Sequence, residues 1–158
     1  VPDLTPFIKW CDATTVGQFV RGNTWAFPLT ETIHILALAV LLGAILLLNL
    51  RLLNVWIRAW SPGHMARILS PYIWTSLIVI LVTGIMLFLS EASKAYGNAA
   101  FAPKVVLLVL AMLFHYTVYR KAVYREDERP PLWAKLAACI SLVLWFGVGV
   151  AGRAIGFV

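Results

Sequence analysis

Six residues of this chain combine reactive side chains with places in or beside long apolar runs: Glu31, His34, His64, Lys104, His115 and Arg153. An imidazole inside a bilayer usually serves as a haem ligand, as another metal's ligand, or as a proton and quinone partner. The blander alternative is a buried histidine hydrogen-bonded to a neighbouring helix. It weighs most for His64, which sits beside the turn-forming Ser61-Pro62-Gly63. Glu31 and His34 lie one helical turn apart, so Glu31 is expected to face the interior beside the imidazole, as its hydrogen-bond acceptor or as a proton station. Lys104, Leu108, Ala111 and His115 follow i, i+4, i+7 and i+11 and share one helix face. That face offers an imidazole deep in the bilayer and a cation near its edge. It suits a buried haem b iron with outward propionates, held by Lys104 and, from the last helix, by Arg153. Plain interfacial anchoring is the competing reading for both cations.

Depth limits the pairing of ligands. His34 lies six residues past Pro28, ~9 Å inward, and His115 twelve past Pro103, ~18 Å inward. His34 and His115 are the leading iron ligands, on one haem or on two. His64 is a reserve that would pair with His115 on an inner haem. No serine-histidine-acid set, phosphate loop, His-Glu-x-x-His or Cys-x-x-Cys-His motif occurs, so no catalytic residue is assigned.

The elements that position these residues are membrane spans. Hydrophobic residues are 61% of the 158 and charged ones 13%, about half the soluble norm of roughly 25%. Mean hydropathy is +0.86. The expected fold is an all-α integral membrane four-helix bundle in a single domain, 1–158, with short amphipathic surface helices before Trp25. Spans are expected over about 28–57, 64–91, 103–123 and 132–155, each long enough for a hydrocarbon core of about 30 Å. Nothing before Trp25 has the apolar stretch of a signal peptide. Pro71 is expected to kink the second span, SKAYGNAAFA to form a loop, and Gly147-xxx-Ala151 and Gly152-xxx-Gly156 to allow close helix contact. Cys11 and Cys139, one before the first span and one inside the last, are not expected to pair.

The net charge of +6 is no nucleic-acid signal, because the basic residues cluster at the ends of apolar runs. Eight flank the two loops on one side: Arg51, Arg58, Arg67, Arg120, Lys121, Arg125, Arg129 and Lys135. Five lie on the terminal side: Lys9, Arg21, Lys94, Lys104 and Arg153. The positive-inside rule then puts both termini outside a bacterial cytoplasmic membrane.

Three segments carry a resemblance over nearly the whole chain: WAFPLTETIHILALAVLLGAILLLNLRLL, FAPKVVLLVLAMLFHY and SLVLWFGVGVAGRAIGF. They resemble an uncharacterised family of bacterial four-helix membrane proteins. More distantly, the chain is similar to copper-resistance D-type membrane domains and to the haem-pathway J-type protoporphyrinogen oxidases. That last resemblance implies a haem b bundle, with His34, Arg51-Leu52, Lys104 and His115 at the matching positions and Lys104 near the iron or a propionate. The oxidases' histidine after the arginine motif is replaced here by Asn54 and Val55. The leading functional expectation is a haem b membrane subunit passing electrons between an outer partner and quinone, with the bilayer and further membrane or periplasmic subunits as partners. The alternative is a cofactor-free structural or anchor subunit of a larger membrane complex. Copper handling is a weak third, because Met65, Met86, Met112 and the two cysteines do not cluster.

Overall fold

The computed structural model describes residues 4–55, 59–99, 101–124 and 130–154, and among these the chain is helical with no strand. Arg58, Arg125, Arg129 and Gly156, used in the sequence analysis, lie outside the described residues. Two short helices, α1 (Thr5–Asp12) and α2 (Thr15–Gly22), precede α3 (Ala26–Leu52) and α4 (Pro62–Ser90). A short α5 (Ala92–Gly97) leads into α6 (Phe101–Phe114), which runs through a π-helical turn at His115–Tyr119 into α7 (Arg120–Val123). The last helix is α8 (Leu132–Ala154). Four stretches are long and apolar enough to cross a membrane: Ala26–Leu52, Pro62–Ser90, Phe101–Val123 and Leu132–Ala154. The bundle is that of a multi-pass membrane protein whose apolar exterior meets the bilayer.

Local chemistry sets the helix ends. Ser61 caps α4 by accepting from the His64 N–H at 3.2 Å, with Pro62 in the first turn. Helix α4 continues through Pro71 as one element. At the end of α3, Asn54 has φ 60°, a left-handed conformation that asparagine tolerates better than most residues. There the Val55 N–H reaches the Leu50 carbonyl at 3.1 Å and the Asn54 N–H reaches that of Arg51 at 3.0 Å. Such a pair of bonds closes a helix in the Schellman manner. Arg51, which charge counting places at the membrane surface, is instead buried and donates from Nε to the Trp60 carbonyl at 2.5 Å. It ties the end of α3 to the start of α4.

The core follows from one stripe on α3: Leu41, Ile45, Leu48 and Leu52 recur at helical spacing and are all buried. They pack with Ile73, Leu77 and Ile80 of α4 and with Ala134, Ala137, Ala138 and Trp145 of α8. The three alanines let the α8 backbone approach closely. Gly147 faces the Leu107 side chain of α6, where a Cβ would make only ordinary contact at 3.6 Å. Helix α3 pairs mainly with α4 and α8, and α6 mainly with α8, while α4 and α6 scarcely meet.

The N-terminal helices are amphipathic. Ile8, Cys11, Gly17 and Val20 are buried, while Phe7, Trp10 and Phe19 are exposed. Exposed aromatics at the end of such a bundle match the interfacial belt of membrane proteins. The segment expected to be a loop after α4 contains α5, and the reason lies far upstream. The Asp12 carboxylate accepts from the Ala92 N–H at 3.0 Å and from the Ser93 hydroxyl, and so caps α5. Arg21 adds a bond to the Ser90 carbonyl at 3.3 Å and an ion pair to Asp12 at 3.8 Å.

Candidate functional site

His34 projects from the third turn of α3 toward α4. Its Nδ1 lies 2.8 Å from Thr83 Oγ1. The Thr83 hydroxyl itself donates to the Val79 carbonyl at 2.6 Å, so its oxygen is left to accept. The imidazole must therefore carry its proton on Nδ1, and Nε2 keeps a free lone pair. The Ile80 backbone gives the ring a further hydrogen bond on the same side as Thr83. Gly84 leaves room for the ring, since a Cβ there would lie 3.3 Å from His34 Cε1. Lys104 of α6 is half-buried, within electrostatic range of His34. Its side chain lies along Gly152 of α8, where a Cβ would stand 3.7 Å from Nζ. Arg153 follows Gly152 and is exposed. The structure thus brings His34 and Lys104 to one region, with Arg153 at the same end of the bundle.

Glu31 is not part of that interior. It is exposed, whereas Thr30 one residue earlier is buried. The inward stripe of α3 runs Thr30, His34, Leu41, Ile45, Leu48, and a residue three before His34 falls to the side of it. Thr83, rather than Glu31, orients the imidazole. His64 is also exposed, with its ring edge-on to Trp60 at 5.4 Å between centroids. It does not line the cavity at His115.

His115 opens the π turn and occupies a different place. Its ring is surrounded by Tyr116 at 5.3 Å, Tyr119 at 5.1 Å and Trp145 at 6.2 Å between centroids. It lines a cavity of about 140 Å³ together with Leu48, Ser70, Ile73, Trp74, Tyr119 and Arg120. His115 Nδ1 and the Tyr119 hydroxyl are buried and make no hydrogen bond, although Ser141 lies near the hydroxyl. Asn49 Nδ2 donates to Ser141 Oγ at 3.4 Å, so a buried hydrogen bond links α3 and α8 beside the Tyr119 hydroxyl. Sequence reasoning missed this link. Its signals were Asn49 and Ser141 inside apolar runs, where polar side chains are costly unless they find each other.

The two histidines sit at different levels. His34 is level with Thr83, whereas His115 shares its cavity with Leu48 and Ile73. Leu48 is fourteen residues along α3 from His34, ~21 Å, and Ile73 is ten from Thr83, ~15 Å. One iron cannot take both imidazoles. The donor chemistry of a haem ligand fits His34, because a metal-bound histidine characteristically holds its other nitrogen in a hydrogen bond. It does not fit His115, whose ring is boxed in by aromatics beside a cavity of about 140 Å³, room for a single small ring but not for a porphyrin. Among the described residues there is no cluster of three or more His, Cys, Asp or Glu side chains for a bare metal ion.

No curated protein and no solved structure matches the chain. The model of one protein family, described as a family of unknown function (DUF6644), covers residues 7–158. On that match the chain belongs to the DUF6644 family.

Proposed function

We propose that this protein is a haem b-binding electron-transfer subunit of the bacterial cytoplasmic membrane, with both termini outside, serving an outer partner and quinone. The observation that carries the reading is the His34 imidazole, its tautomer fixed by Thr83 so that Nε2 is unprotonated, within electrostatic range of a half-buried lysine. His34 would be the protein's ligand to the iron. Lys104 and Arg153 would hold the propionates, where charge-assisted bonds are strong. Gly84 and Gly152 keep space beside the imidazole and the ammonium. Bound haem would supply a one-electron iron couple, while the protein sets its ligand, its charge partners and its dielectric.

The test is the absorption spectrum of purified protein from haem-replete cells, with and without dithionite. We expect Soret and alpha bands that H34A abolishes and H64A leaves unchanged. Well-folded protein without haem, or an H34A variant with an unaltered spectrum, would sink the proposal. A colourless protein tolerant of histidine replacement would leave the cofactor-free anchor subunit in its place.

A further inference from the structure

The cavity at His115 is not used by the haem reading, yet it has the features of a ligand site. It lies between α4 and the π turn. A π turn costs regular hydrogen bonding and is commonly kept at functional positions. Two of the lining residues carry buried polar atoms with no bond, His115 Nδ1 and the Tyr119 hydroxyl. Tyr119 is 1% exposed, so bulk water does not satisfy it. Leaving such a group unpaired costs about 1–3 kcal/mol, which a bound acceptor would remove.

The shape of the lining narrows the ligand. Trp74 and Tyr116 lie 5.3 Å apart between ring centroids at a tilt of 38°, and Trp74 is half exposed. The mouth therefore opens sideways between two membrane-spanning segments, toward acyl chains. A ligand entering there comes from the bilayer. Aromatic and aliphatic walls favour a flat, largely apolar body, and the two unpaired polar atoms favour a few hydrogen-bonding groups on it. Water alone would satisfy the polar atoms but leave the apolar part of the wall, Leu48, Ile73 and Trp74, without a partner. An acyl chain would leave Tyr119 and His115 unsatisfied.

We infer that this cavity receives the head ring of a membrane quinone, its carbonyl accepting from Tyr119 or His115 and its tail leaving past Trp74 into the lipid. This deepens the proposed function by giving the quinone a place, and it rests on that reading only for its electron source.

The inference can be tested apart from haem. Protein in phosphatidylcholine nanodiscs is titrated with decylubiquinone by tryptophan fluorescence, and labelled with an azido-benzoquinone bearing a decyl chain. Cross-links are expected in the peptides containing Trp74 and His115–Tyr119. Y119F, which keeps the ring, should weaken binding about threefold to tenfold. S70F, which fills the mouth, should abolish labelling without changing the haem spectrum. Labelling spread evenly over the lipid-facing helices, unchanged affinity in Y119F and S70F, or equal displacement by decanol would overturn the quinone site. A spectrum taken on the same samples separates the two ideas. Haem without quinone labelling refutes this inference alone, and labelling without haem refutes the haem reading alone.

Discussion

Thr83 has no contact with any expected ligand, yet its hydroxyl decides which nitrogen of His34 is free. Replacing it by valine keeps the shape and removes the acceptor. The Nδ1–H at 2.8 Å then loses its partner in an apolar bundle. A buried unpaired donor costs about 1–3 kcal/mol. Outer partners of metal-bound histidines are worth about 10–100-fold in affinity, or roughly 1.4–2.8 kcal/mol, so the two scales agree. The fold should tolerate the change. The Val79 carbonyl that accepts from Thr83 Oγ1 is also in reach of the helix's own N–H at i+4. We therefore predict that T83V folds normally and binds haem about 10–100-fold more weakly, while T83S, which keeps the oxygen, stays within a few-fold of wild type. Haem titration of the apoprotein at the Soret band measures both. Wild-type affinity in T83V, or equal damage in T83S and T83V, would refute the orienting role. The second result would mean that the methyl's packing, not the acceptor, matters.

Further perturbations probe the frame around this site. A Cβ on Gly17 would lie 2.2 Å from the Leu89 carbonyl oxygen, so G17A must push α2 off α4, and we predict about 1–3 kcal/mol of lost stability by thermal unfolding. The Asp12 carboxyl is held below its usual range, first by the Ser93 hydroxyl and then by backbone bonds at α5 and by Arg21. A lowered folded value means stability that is present above the ordinary carboxylate pKa and lost as pH falls through the folded one. Hydrogen exchange at Ala92 and Ser93 should therefore speed up at acid pH in the wild type, and a D12N variant should lose most of that pH dependence. In a C139A background, where the remaining Cys11 is buried, a cysteine placed at Asn98 should label from outside. Labelling only from the cytoplasm would reverse the orientation.

The four spans were legible because each is a long apolar run, and their observed ends differ from the expected ones by a few residues. What escaped the sequence is what depends on distant partners. Nothing in SKAYGNAAFA announces a helix, because the residue that caps it is Asp12. Counting charge put Arg51 at the surface. Its burial goes with its bond to the Trp60 carbonyl just before α4, a partner nine residues away that charge counting does not see. The turn-apart spacing of Glu31 and His34 suggested a pair, but three residues leave a side chain well off the inward stripe, and Thr83 on another helix took the imidazole. His34 and Lys104 could be picked out as unusual residues. Their proximity could not, because it depends on how α3, α6 and α8 are arranged.

That arrangement also explains why both polar sites lie where they do. Helix α3 is packed between α4 and α8, and α6 leans on α8, so the ring of helices is weakest between α4 and α6. Rings bridge that seam at both ends, Phe88 with Phe101 at 5.3 Å and Trp74 with Tyr116 at 5.3 Å. Beneath its half nearer Phe88 and Phe101 sit His34 and Lys104, and its other end opens into the cavity at His115. Polar groups in a bilayer are tolerated where they face an interior or a cavity, and an incomplete helix contact supplies such places without breaking the core. The apolar stripe Leu41, Ile45 and Leu48 stays sealed on the α3–α4 side. A substitution that tightens the seam should thus impair ligand binding at both levels while raising stability, whereas a random loss of packing would lower both. Filling the seam by L108F on α6, with unfolding and both binding titrations measured on one sample, distinguishes the two.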